Sequence, residues 1–220
     1  MKKLFKILGA LLLIGAIVLA VFYFKNNESL PTGKQGPEAD ALATKMLKAL
    51  NYEAYKTTRF IEWSFRGKHF YKWDKHENIV EVSWDSNKVT LYTKSPEKSI
   101  VLVDGKEVEN KEILQKAIDY FNNDSFWLVA PYKVFENGIE RRIVEYEGKE
   151  ALLVTYTTGG STPGDSYLWI LDEKGRPTSY KMWVSIIPTG GMEATWSDWV
   201  TTESGAILPT KHEMPVGTLD

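Results

Sequence analysis

The stretch Ser166–Ile187, SYLWILDEKGRPTSYKMWVSII, decides the fold. It holds two runs rich in aromatic and branched side chains on either side of Lys174-Gly175, the pattern of two antiparallel strands joined by a hairpin turn. Side chains alternate across a strand, so Tyr180, Met182, Val184 and Ile186 share one face while Trp183 points to the other. In the partner run Tyr167, Trp169 and Leu171 back onto Leu168 and Ile170. An open sheet with one wet face does not carry apolar residues on both sides. Both faces are therefore expected to be covered, one by the domain's own core or helices, the other by a helix or a bound apolar ligand.

Outward from this hairpin the same period of two recurs. Five runs occupy the first half, near Thr58–Arg66, Lys68–Trp73, Asn78–Trp84, Lys88–Lys94 and Ser99–Val103. Six occupy the second, near Glu140–Glu147, Ala151–Thr158, Ser166–Asp172, Thr178–Ile187, Met192–Thr201 and Ala206–Glu213. Turn residues punctuate them, among them Asp104-Gly105, Asn137-Gly138, Glu147-Gly148 and Ser204-Gly205. Two segments have helical spacing instead. Leu42, Met46, Leu47 and Leu50 follow Pro37 and the acidic Glu38 and Asp40, which predicts a helix to about Asn51. Ile113, Leu114, Ala117, Ile118 and Phe121 predict a second over Lys111–Phe121, leading into the apolar Phe126–Tyr132. The fold class is mainly β (α+β), with antiparallel neighbours in a sandwich, a barrel or a strongly curved sheet.

The chain has 220 residues, 43% of them hydrophobic and 25% charged, which is globular composition and excludes wholesale disorder. With no cysteine it has no disulfide scaffold, thiol nucleophile, cysteine-held metal or cysteine-linked lipid. Beyond the first 25 residues there are 23 basic against 29 acidic side chains, an acidic balance that weighs against nucleic acid as a partner.

Lys2, Lys3 and Lys6 precede an apolar run of 18 residues, Ile7–Phe24. As a helix this spans roughly 27 Å, about one hydrocarbon core, and no small-residue cleavage pattern follows it. The expectation is an uncleaved signal-anchor over residues 1–25, one N-terminal transmembrane helix with a cleaved signal as the alternative. The lysine asymmetry places the chain in the inner membrane, single-pass, with its C-terminal domain in the periplasm of a bacterial cell. Residues 26–37, NNESLPTGKQGP, read as a flexible linker reaching at most roughly 40 Å, and 38–220 as the folded domain.

Residues 26–220 hold 24 aromatic side chains, more than one modest core commonly needs. The surplus is consistent with a hydrophobic cavity, or with a tightly packed aromatic core and no cavity at all.

The helix ADALATKMLKALNYEAYKTTRFIEWSF, the pair Trp73-Asp74 closing the second strand, the segment NDSFWLVAPYKV (Asn123–Val134) and the six strands that follow resemble the LolA/LolB-like lipoprotein-carrier family over about Asp40–Met214. The resemblance implies a curved antiparallel half-barrel of about eleven strands with a helical lid, whose concave side holds acyl chains. It implies a lipid or an acylated protein as partner and no catalysis. The family's carrier diffuses freely, whereas a tethered chain suits handover at a membrane surface.

No constellation for chemistry stands out. The chain has three histidines, with no H-x-x-x-H spacing, and His69, Asp74 and His76 read as a solvated hairpin rather than metal ligands. Gly159–Gly164 lacks the lysine and following helix of a phosphate loop. Glu62 and Asp198 read as outward strand charges, Asp198 opposite Trp199. No cofactor, metal or enzymatic activity is expected. The candidate ligand-binding residues are Trp63, Phe65, Trp73, Trp84, Leu91, Phe126, Trp127, Trp169, Met182 and Trp196, gated by the segment Phe126–Tyr132. The function expected is a membrane-anchored domain binding an acyl chain or lipoprotein. The alternative is a non-catalytic structural or protein-interaction domain with a filled core.

Overall fold

A computed structural model describes residues 13–15, 17, 21, 23, 27–158, 162–215 and 217–220. Helix α1, Pro37–Ala49, starts on proline with Glu38 and Asp40 in its first turn and Lys48 in its last, each sign matching the helix dipole. It buries Ala39, Ala43, Met46 and Leu47. Asn51, in the left-handed region at φ 54°, turns the chain into the short helix α2, Tyr52–Thr57.

Six strands then meander in sequence order: β1 Phe60–Phe65, β2 His69–Asp74, β3 Ile79–Trp84, β4 Asn87–Tyr92, β5 Ile100–Val103 and β6 Lys106–Glu107. The register sets Trp63, Tyr71, Val82, Val89 and Val101 in one inward row across neighbouring strands. Helix α3, Lys111–Val129, follows; the Asn110 side chain caps it by accepting from the backbone N–H groups of Glu112 and Ile113. A 3₁₀ turn, Ala130–Lys133, ends it at Pro131. A second sheet has the order β11-β10-β9-β8-β7, built from β7 Ile139–Tyr146, β8 Lys149–Tyr156, β9 Ser166–Leu171, β10 Pro177–Trp183 and β11 Met192–Thr195. Its inward rows are Val154, Tyr167, Met182, Met192 and Leu152, Trp169, Tyr180, Ala194. Two small hairpins complete the described chain, β12 Val200–Thr201 with β13 Ile207–Leu208, and β14 His212–Met214 with β15 Gly217–Leu219.

Several expectations are corrected. The strands do not form one half-barrel sheet of eleven; they form separate sheets of six and five, with the two hairpins beside them. The reason is α3, which leaves from β6 and delivers the chain to the far edge of the second sheet at β7. Strands β1 and β11 do not pair; the C-terminal hairpin stands between them. Arg66 N–H donates to Asp220 O on one side (2.7 Å), and Ser197 bridges Lys211 while Glu213 N–H donates to Thr195 Oγ1 on the other. Helix α3 also runs eight residues past Phe121, because Phe126, Trp127 and Val129 continue its apolar face. The strand expected over Met192–Thr201 ends at Thr195 and resumes at Val200; between them Asp198 takes a left-handed φ of 50°, and Trp196 and Trp199 pack together rather than on opposite faces.

The transmembrane helix, the membrane character and the inner-membrane placement are likewise corrected. Among the described residues no helix is long and apolar enough to cross a membrane. A span needs about 20 predominantly apolar residues in an unbroken helix, and the nineteen residues of α3 include Lys111, Glu112, Lys116, Asp119 and Asp124. Most of the run 7–24 lies outside the described residues; Leu13, Ile14, Gly15, Ile17, Val21 and Tyr23 are described and helical.

Three apolar clusters hold the fold together. The first half of α3 lays Ala117 and Phe121 on Tyr71, Val80, Val82, Trp84, Val89 and Leu91 of the first sheet. The second half, with α1 and the 3₁₀ turn, closes over Leu152, Val154, Trp169, Tyr180 and Trp196 of the second. Trp63 and Trp73 touch both. The third cluster lies on the outer face of the second sheet, where Val144, Ala151, Leu153 and Leu168 meet Tyr146 and Trp183.

The segment read as a tether covers that outer face. Glu28 holds Lys181 Nζ through both carboxylate oxygens (2.6 and 2.8 Å), and its carbonyl accepts from Trp183 Nε1 at 2.8 Å. Lys34 forms an antiparallel bridge with Ile143. Gly33 is needed for the approach: a Cβ there would lie 2.7 Å from Arg142 Cβ and 2.8 Å from the Ile143 carbonyl oxygen. Gly33→Val should lift this strap, cost about 1 to 3 kcal/mol in urea unfolding, and speed tryptic cleavage after Lys34. Unchanged stability and cleavage would show that the strap contributes nothing to the fold.

Candidate functional site

The candidate site is built where the β1–β2 hairpin meets the middle of α3. Arg66 (φ 54°) and Gly67 (φ 60°) form a two-residue turn with both residues in the left-handed region. Arginine is unusual there, at a cost of about 1 kcal/mol. The turn sets Phe65, Arg66, Lys68 and His69 against the face of α3 on which Tyr120, Asp124, Trp127 and Leu128 recur at helical spacing.

Two half-open cavities flank this contact. One, of about 380 Å³, is walled by Phe65, Arg66, Lys68 and His69 from the hairpin and Asp119, Tyr120, Asn123 and Asp124 from α3. The other, of about 280 Å³, lies between Trp63, Ser64 and Phe65 of β1, Trp127 and Leu128 of α3, and Pro209, Thr210, His212 and Asp220 near the C-terminal hairpin. Phe65 and Asp124 belong to both linings, so the two cavities are neighbours that share a wall.

Asp124 stands between the chambers with only 2% of its surface exposed. A buried carboxylate is costly unless its lone pairs are satisfied. Here Oδ2 accepts from Tyr71 OH (2.5 Å) and from His69 Nδ1 (2.7 Å), and Oδ1 accepts from Asn123 Nδ2 (2.9 Å). This network assigns the Nδ1 proton of His69. The His69 ring stacks on Tyr120 with centroids 3.9 Å apart. Burial, then the hydrogen bond to Asp124, pushes the Tyr71 phenol far above its ordinary value, so it remains a donor.

His212 closes the other chamber. Its ring packs edge-on against Trp196 (4.5 Å between centroids) and beside Trp127 (5.1 Å), with Nδ1 3.0 Å from the Thr195 carbonyl oxygen. Burial pulls its pKa down to about 4, so the ring is neutral at pH 7.

The ten sequence-derived site residues are distributed unevenly. Trp63, Phe65 and Trp127 line the cleft. Trp84 and Leu91 are buried in the first core, and Trp169, Met182 and Trp196 in the second, at 7% exposure or less. Trp73 is half-buried against Phe121 (5.3 Å), and Phe126 against Tyr167 (4.7 Å). In the second core the indole N–H groups of Trp169 and Trp196 and the hydroxyls of Tyr156 and Tyr180 are buried without a hydrogen-bond partner among the described residues. The rings there pack on one another, Trp169 against Trp196 at 4.8 Å and against Tyr180 at 5.1 Å between centroids. His69, Asp74 and His76 are not brought together: His69 faces Asp124, while Asp74 is held by Arg59 (2.8 Å). Among the described residues there is no cluster suited to a metal ion.

Sequence reasoning missed Asp124, His69, Tyr71, Arg66 and Lys68 as a group. The available signal was Asp124, a charged residue four positions after Tyr120 and three before Trp127, on the apolar stripe of a helix. Ending that helix at Phe121 hid it.

The depressed pKa of His212 has a definite sign. Its folded value lies below the unfolded value of about 6.5, so the unfolded chain binds more protons and stability rises with pH. The contribution is complete above pH 6.5, declines between about 6.5 and 4, and is lost below. Chemical denaturation across this range should show up to about 3 kcal/mol of stability lost to this group. His212→Phe, which keeps an aromatic ring without a titrating nitrogen, should flatten that part of the profile, and an unchanged slope would assign it to other groups.

No protein-family model matches the chain, and no curated protein matches it. The functional reading therefore rests on the cleft and its residues.

Proposed function

We propose that this domain binds the acyl chain of a lipid or an acylated protein in the cleft between β1, the second half of α3 and the C-terminal hairpin, and that its role is binding rather than catalysis. The observation that carries the reading is the half-open 280 Å³ chamber with Trp63, Phe65, Trp127 and Leu128 as apolar walls. A chain of about eight methylenes placed there gains roughly 6 kcal/mol from burial before the costs of association. Together with its neighbour the cleft is within the size range of small-ligand sites, about 300 to 1,000 Å³. The likeness of NDSFWLVAPYKV to the LolA/LolB-like carriers supports the same ligand class. In this reading Phe126 and Trp127 act differently: Trp127 forms a wall, while Phe126 packs inward on Tyr156 and Tyr167.

A second reading, an interaction domain with a filled core, is favoured by the burial of Trp84, Leu91, Trp169, Met182 and Trp196, five residues expected to meet ligand. The two readings part on titration of the protein with a fluorescent fatty acid. Wild type should bind it, Leu128→Gln and Trp127→Ala should weaken binding about tenfold, and Ile186→Ala, at an exposed site in the turn after β10, should leave it unchanged. No uptake by wild type, or equal effects of all three substitutions, would favour the filled-core domain.

A further inference from the structure

The larger chamber, beside the acyl cleft, has two cations in its lining. Arg66 and Lys68 stand at its mouth, and among the described residues neither side chain makes an ion pair or a hydrogen bond. Arg59, Arg141, Arg142 and Lys181 each hold a carboxylate, of Asp74, Asp40, Glu140 and Glu28 respectively; Arg66 and Lys68 instead flank a cavity. The two free cations are not on a mobile tail. The two-residue turn at Arg66-Gly67 fixes their backbone, with a conformation at Arg66 that arginine seldom adopts.

His69 adds a third group. Asp124 occupies its Nδ1 and the Tyr120 ring covers one face, which leaves Nε2 as the nitrogen available to a ligand in the chamber. Of the acids lining the chamber, Asp124 is fully used by Tyr71, His69 and Asn123. Asp119, the other acid of the lining, accepts from Gln115 Nε2.

We propose that the 380 Å³ chamber binds the anionic headgroup, a carboxylate or a phosphate monoester, of an amphiphile whose chain lies in the adjoining 280 Å³ chamber. Arg66 and Lys68 supply the charge, and His69, oriented by Asp124, supplies a directed nitrogen. This inference rests on the acyl-chain reading above and extends it to the ligand's polar end. The proposal places the junction of chain and headgroup at Phe65, which lines both chambers.

The test compares decanoate, decyl phosphate and uncharged decanol as competitors for the neutral probe N-phenylnaphthylamine at low ionic strength. Wild type should prefer at least one of the anions to decanol by about tenfold, and which one identifies the headgroup. The double substitution Arg66→Ala/Lys68→Ala should bring that preference to near parity while decanol binding stays as it was. Asp119→Asn, which removes a negative charge from the mouth, should strengthen anion binding by about two- to fivefold, an opposite sign that loss of folding cannot mimic. His69→Gln should weaken the anions more than decanol. Equal affinity for anions and alcohol in wild type overturns the headgroup site and leaves the acyl cleft standing. Failure of all three competitors overturns both.

Discussion

Lys111–Val129 carries the chain from one sheet to the other, and both apolar cores close on it. Its nineteen residues span roughly 28 Å. That length lets the first half lie on the first sheet and the second half on the second. Where it crosses, Phe121 meets Trp63, Tyr71 and Trp73 within 6.4 Å between ring centroids, a joint made of large rings from three elements. The helix starts on a capped end at Asn110 and stops at Pro131, so both its length and its reach are bounded by local chemistry.

Asp124 is the polar exception on this apolar helix, and its position orders the site. Its carboxylate draws Tyr71 and His69 of β2 to the helix, which pins the helix to the sheet at one register. A buried charge with three donors is tolerated; the same charge with one donor removed is expensive, so the three donors act as a unit. The chambers open on either side of this clamp because the helix is held to the hairpin there rather than sealed by apolar packing. Apolar walls lie toward the C-terminal hairpin and free cations toward the Arg66 turn. The proposed ligand, apolar at one end and anionic at the other, follows from that division.

The second sheet shows how a strand apolar on both faces is accommodated. The inner face takes Trp169 and Tyr180 into the core, and the outer face takes Leu168, Leu153 and Trp183 under the strap from Glu28 to Lys34. A polar strap is suited to this because its backbone and its one carboxylate answer Lys181 and the Trp183 N–H, while Gly33 allows close approach. The apolar outer face thus needs no bound ligand to cover it.

The core strands from β1 to β5 and from β7 to β10, the alternation that puts Trp169 and Met182 on shared faces with Tyr167 and Tyr180, and the need to cover both faces of β9 and β10 are determined by the sequence alone. Alternation and turn chemistry act over two to four residues, so they can be read along the chain. Helix α3 was half legible, its apolar stripe clear to Phe121 and its continuation obscured by the polar Asn122-Asn123-Asp124. Pairing across the chain is a different matter. His69 and Asp124 are 55 residues apart, Glu28 and Lys181 are 153 apart, and Tyr132 reaches Ile207 across 75. A carboxylate in sequence looks the same whether it faces water or a buried histidine. Only the tertiary structure decided that the sheet divides in two, that Trp169, Tyr180 and Trp196 pack on one another in the second core, and that two cavities flank Asp124, because each depends on how α3 settles between surfaces that the sequence specifies separately.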